Sequence, residues 1–72
     1  MRKIIISLID EIVRPVRIAV VEDGEIIIQQ FRKNLPTSVQ DSVKELARHY
    51  KVCSEDVEDR THRYWHYGMQ VG

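Results

Sequence analysis

The stretch Val16-Arg17-Ile18-Ala19-Val20-Val21-Glu22-Asp23-Gly24-Glu25-Ile26-Ile27-Ile28-Gln29-Gln30-Phe31 decides how the rest of this chain is read. Its two arms are rich in β-branched residues, whose stiff side chains suit a pleated strand better than a helix. Between them, Asp23-Gly24 supplies the positive φ angles that a tight primed turn requires. The stretch therefore predicts an antiparallel hairpin, with strands at about 16–22 and 25–31.

Working outward, the N-terminus admits two readings. Ile5, Leu8, Ile9, Ile12 and Val13 fall at helical spacing, with Ser7, Asp10, Glu11 and Arg14 opposite. Against this, Ile4-Ile5-Ile6 is a β-branched run, and Pro15 ends either element because the residue before proline avoids the helical region. The run RKIIIS followed by VRIAVVEDGEIIIQQF resembles the opening of ribonuclease E/G-type endonucleases. In that family a short strand, a connection and a hairpin form an antiparallel meander. The resemblance implies a strand at about 3–8 and carries over no activity, because nothing here corresponds to the large domain that holds that family's catalytic carboxylates. Toward the C-terminus, Arg32-Lys33-Asn34-Leu35-Pro36 reads as a loop and 37–50 as a helix. Thr37 or Ser38 can cap it, with Gln40 or Asp41 in capping-box position. Val39, Val43, Leu46, Ala47 and Tyr50 make a continuous apolar stripe that fits the apolar face of the meander. Ser54 can start a short second helix, and Thr61–Tyr67 crowds three aromatics into four positions. The expected fold class is α+β, a three-stranded meander with one amphipathic helix and a C-terminal aromatic segment. Residues 1–67 form one small domain and 68–72 a frayed end.

Composition narrows the function. The 72 residues carry eleven Lys+Arg against eleven Asp+Glu, so no global field favours a polyanion. A single cysteine, Cys53, excludes an intramolecular disulfide and fits a reducing compartment. No apolar run approaches the ~20 residues of a bilayer span, and Arg2-Lys3 before a broken apolar stretch does not read as a signal peptide. A cytoplasmic site is the expectation. So short a chain also walls off an active site with difficulty, since a ~60-residue domain buries only about 60% of its unfolded surface.

Four constellations could carry chemistry. Leu46, Ala47, Val52 and Val57 match the apolar spacing of helix-turn-helix repressors, which would put residues 45–60 on DNA. Two departures count against it. Lys51 stands where that family has a turn glycine, and Glu55, Asp56, Glu58 and Asp59 would face phosphates with four acids. His49, Cys53, His62 and His66 read H-x3-C and H-x3-H, a weak metal-ligand spacing with one thiolate; no metal and no cofactor is expected. Cys53 beside His49 lacks an orienting third group and an oxyanion hole, and Asp10-Glu11 and Glu22-Asp23 need no acid–base role, so no enzyme is expected. The aromatic-basic tail Arg63, Tyr64, Trp65 and Tyr67 suits core packing, a protein interface or, less well, base stacking. A second candidate surface is basic: Lys3, Arg14, Arg17, Arg32 and Lys33. A free edge at Lys3–Leu8 would offer backbone pairing to another chain.

In size, and in the order hairpin then helix over Val16–Phe31 and Pro36–Tyr50, the chain resembles small lytic-phage proteins that bind host RNA polymerase. That resemblance implies a non-enzymatic regulator of transcription, an inhibitor or antiterminator, in the cytoplasm of a bacterial host if the protein is phage-encoded; a monomer or weak homodimer is expected. The alternative is a nucleic-acid-binding module using segment 45–60 or the aromatic tail.

Overall fold

The structure, a computed structural model, describes residues 1–9, 15–66 and 69. Strands β1 (Arg2–Leu8), β2 (Val16–Glu22) and β3 (Glu25–Arg32) form the expected antiparallel meander. Between β2 and β3, Asp23 at φ 52° and Gly24 at φ 85° give the two successive positive angles of a primed two-residue turn. The N-terminal segment is a strand, as the β-branched run Ile4-Ile5-Ile6 and the resemblance both imply.

Helix α1 (Pro36–Tyr50) crosses one face of the sheet. It begins one residue before the expected start. Leu35 is the residue at its N-cap, no side chain caps it, and Pro36 occupies the first turn. Proline arrives with its φ already helical and has no N–H to satisfy, so it nucleates the turn and places Thr37 and Ser38 inside the helix rather than at its cap. At the other end Lys51 takes the left-handed conformation at φ 58°, and the Val52 N–H donates to the Ala47 carbonyl at 2.9 Å.

Residues after the helix depart from expectation. Ser54–Asp56 is one turn of 3-10 helix, and Val57–Asp59 is a fourth strand, β4. It pairs parallel with β1 through Ile4–Val57, Ile5–Glu58 and Ile6–Asp59, giving the order β3-β2-β1-β4. Two readings are corrected by this. The helix-turn-helix arrangement does not form, because its would-be recognition helix is a single turn followed by a strand. Strand β1, expected to be a free edge, is internal, because β4 takes up its outer side.

Alternation along the strands divides the molecule. Ile4, Ile6, Val16, Ile18 and Val20 point to the helix side and pack with Val39, Val43, Leu46, Ala47, Val52, Tyr64 and Trp65. Polar groups stitch this side together. Ser42 Oγ donates to Gln30 Oε1 at 2.5 Å. Arg2 donates from Nη1 to the Tyr50 carbonyl at 3.1 Å and from Nε to Glu22 at 3.0 Å, with its guanidinium 5.7 Å from the Tyr50 ring centre.

Two substitutions separate packing from backbone effects. Ile18→Ala removes a fully buried side chain from the centre of this core and is expected to cost about 2–5 kcal/mol. A Cβ at Gly24 would meet nothing within 4 Å, so Gly24→Ala carries only the left-handed backbone penalty, about 1–2 kcal/mol. Urea unfolding should rank the pair in that order; a Gly24→Ala loss as large as that of Ile18→Ala would mean that the turn does more than reverse the chain.

Candidate partner-binding face

The aromatic segment is built around one carboxylate. Asp59 ends β4 on the helix side of the sheet, and the chain then curls back over it. Its Oδ1 accepts from the Thr61 N–H at 2.8 Å and the Thr61 hydroxyl at 2.6 Å. Its Oδ2 accepts the backbone N–H groups of Arg63, Tyr64 and Trp65 at 3.1, 2.7 and 3.0 Å. Burial pushes this carboxyl up, but the hydrogen bonds from Thr61, Tyr64 and Trp65 outweigh it and hold it below the ordinary aspartate value. His62 at the tip is left-handed, with φ 60°. The turn delivers Tyr64 and Trp65 beneath the helix, 2% and 6% exposed. Tyr64 is fixed again by its hydroxyl, which donates to Asn34 Oδ1, and by its carbonyl, which accepts from Gln40 Nε2 at 2.8 Å. Of the readings open for the aromatic tail, core packing describes Tyr64 and Trp65. Arg63 is exposed on the turn, and Tyr67 lies outside the described residues.

The basic candidates divide between the two faces. Lys3 and Arg17 lie on the face away from the helix, while Arg32 lies on the helix side, with Nη2 donating to Gln30 Oε1 at 3.0 Å. Lys33 is exposed in the loop after β3, and Arg14 lies outside the described residues. The metal-type residues His49, Cys53, His62 and His66 are not gathered: among the described residues no three His, Cys, Asp or Glu side chains are placed to hold an ion. Likewise, no described helix is long and apolar enough to cross a membrane.

The surface that does converge was legible only in part. On the face opposite the helix, cross-strand pairing aligns Lys3–Val21–Ile26, Ile5–Ala19–Gln29 and Ser7–Arg17–Phe31 in successive rows. Glu58 adjoins Ile5 from β4. Among the described residues no helix or further strand crosses this face, although Ala19 at its centre is buried. Phe31 is 49% exposed and Ile26 48%. A shallow concavity of about 520 Å³ lies over Ile5, Ala19, Val21 and Ile26, with Lys3, Arg17 and Arg60 among the residues at its margin. The acids nearest it are engaged: Glu58 accepts from Arg60 Nε at 2.7 Å, and Asp23 pairs with the N-terminal ammonium at 3.1 Å. The hydrogen bond from Arg60 also holds the Glu58 carboxyl below the ordinary glutamate value. Ser7 Oγ and Arg17 Nε are buried without hydrogen-bond partners. Sequence reasoning found Lys3 and Arg17 here but missed Ile5, Val21, Ile26 and Arg60. The period-2 alternation of β1 and β2 was the available signal, and it names the second face only once one face is known to be covered.

Comparison with known proteins finds no matching family model, no matching curated protein and no matching solved structure.

The Asp59 hub predicts an acid response with a definite sign. A carboxyl whose folded value lies below its unfolded one contributes stability that is fully present above the unfolded value, about 3.9, and lost as pH falls through the folded value. Urea midpoints taken down a pH series should therefore drop below about pH 4. Asp59→Asn should be less stable at neutral pH and show a shallower drop; an unchanged acid slope in that variant would assign the effect to another group.

Proposed function

We propose that this chain is a non-enzymatic protein-binding regulator that engages its partner with the uncovered face of the sheet. The observation that supports the reading is the pairing of an aliphatic floor with a cationic margin. Ile5, Val21 and Ile26 offer apolar area to lose from water, and Lys3, Arg17 and Arg60 select a partner that presents acids around apolar anchors. The floor is aliphatic, and Phe31, in the neighbouring Ser7–Arg17 row, is the one aromatic in the aligned rows of this face, whereas surfaces that hold single-stranded bases rely on several stacking rings. A protein partner is favoured on that ground.

The mechanism is occupancy. A bound domain shifts its partner's conformational equilibrium by its differential affinity for the partner's states, and no chemistry is needed. The resemblance to small phage proteins makes bacterial RNA polymerase, in the bacterial cytoplasm, the first partner to test, with inhibition or antitermination of transcription as the outcome. The surface proposed for that contact is Lys3, Arg17 and Arg60, with Arg32 and Lys33 at the end of β3 as a secondary contact.

Retention of purified bacterial RNA polymerase on the immobilised chain checks this directly. Wild type should retain the enzyme, Lys3→Glu with Arg17→Glu should lower affinity at least about tenfold, and Arg32→Glu with Lys33→Glu should lower it less. No retention of polymerase by the wild type would remove that partner. Tight binding to a single-stranded oligonucleotide, with a steep loss of affinity as salt rises, would replace the protein-binding reading with a nucleic-acid one.

A further inference from the structure

We infer that the outer edge of β3 pairs antiparallel with the same edge of a second copy, joining two four-stranded sheets into one of eight strands. This rests on the edge of the sheet and is independent of what its open face binds.

The two edges of the sheet are unlike. Strand β4 is three residues long and carries Glu58 and Asp59, a short and charged edge of the kind that resists pairing. Strand β3 is eight residues, the longest in the sheet, and between Glu25 and Arg32 it contains no charge and no proline. Ile26, Ile27 and Phe31 are 48%, 41% and 49% exposed along it.

Ladder geometry shows which backbone groups face outward. A two-residue hairpin makes Glu22–Glu25 a hydrogen-bonded pair, so Val20–Ile28, Ile18–Gln30 and Val16–Arg32 direct their backbone groups at one another. The intervening residues of β3, Gln29 and Phe31, then direct N–H and C=O away from β2. Arg32 confirms the direction for Phe31, since its Nη1 donates to the Phe31 carbonyl at 2.9 Å from the exposed side. The register shift at Val20/Val21 leaves Ile27 as an extra residue and bends the strand there, which confines flat pairing to about 28–32.

A two-fold axis through Gln30 satisfies these limits. Gln29 and Phe31 of one copy exchange both backbone hydrogen bonds with Phe31 and Gln29 of the other, and the partner's N–H replaces Arg32 at the Phe31 carbonyl. Paired residues then share a face, as antiparallel pairing requires. Charge selects the occupant and its direction. With the axis at Gln30, Lys33 of one copy falls opposite Ile27 of the other and Glu25 lies two positions further on, a diagonal within reach of a lysine side chain, whereas a parallel copy in register sets Glu25 and Lys33 directly against their own kind. Stacking of two open faces is disfavoured instead, because it would set Lys3, Arg17 and Arg60 against themselves.

Sedimentation of the purified chain from micromolar to millimolar concentration tests this. Wild type should pass from monomer to dimer with no larger species. Phe31→Lys, which leaves the backbone and the buried side unchanged, should keep the circular dichroism of the wild type and remain monomeric. Glu25→Lys should weaken the dimer at least about fivefold at low salt, and Glu25→Lys combined with Lys33→Glu should recover it. A wild type that stays monomeric at millimolar concentration would overturn the inference. So would a folded Phe31→Lys that dimerises as wild type does, or a charge reversal that the double variant fails to rescue.

Discussion

The architecture hangs on how the chain is held after the helix, and Asp59 does the holding. Five hydrogen bonds converge on its two oxygens, four from backbone N–H groups of residues 61, 63, 64 and 65 and one from the Thr61 hydroxyl. An ionised carboxylate is well suited to that position, because charge-assisted bonds are about twice as strong as neutral ones and the surrounding amides have no ladder of their own. The carboxylate in turn is placed by the parallel pairing of β4 with β1. Without that pairing the turn would have no anchor, and Tyr64 and Trp65 would have no route to the core. Both side chains add bulk to a core whose other described buried residues are, apart from Ser42, aliphatic.

Closure of one face explains the character of the other. The large buried side chains among the described residues lie on the helix side, where Tyr64 and Trp65 complete a layer begun by Ile4, Ile6 and Ile18. Among the described residues there is one long helix, and the second face of the sheet keeps Ile5, Val21, Ile26 and Phe31 partly or largely in water. An antiparallel sheet can hold one solvated face, but such a face is ordinarily polar. Here aliphatic residues alternate with Lys3 and Arg17, a mixture that suits contact with another macromolecule better than contact with water alone.

Much of the scaffold was legible along the chain. The Asp23-Gly24 turn, the β-branched arms beside it, the strand reading of Ile4-Ile5-Ile6 and the stripe Val39, Val43, Leu46, Ala47 all match the structure, because each depends on neighbours within one turn or one hairpin. Local rules failed where two of them competed. Thr37 and Ser38 are good caps, yet Pro36 initiates the helix ahead of them. Ser54 and the acids after it suit the start of a helix, yet Val57 is worth more beside Ile4 in the sheet than in an isolated short helix, and a single 3-10 turn is what survives.

The sequence by itself determined the periodic elements, the turn that joins β2 to β3, the absence of an intramolecular disulfide and the local clustering of charge beneath a net charge of zero. Only the tertiary structure decided the fate of the candidate residues. The pairing of Val57–Asp59 with β1 spans more than fifty positions, and no local signal encodes a contact at that separation. That one pairing turned β1 from an edge into an interior strand and made Tyr64 and Trp65 core residues. It also left Lys3 and Arg17 with Arg60 on a common face. Local physics selects elements because the entropy of ordering a turn is settled among neighbours, whereas a surface exists only after distant strands have chosen which side to bury.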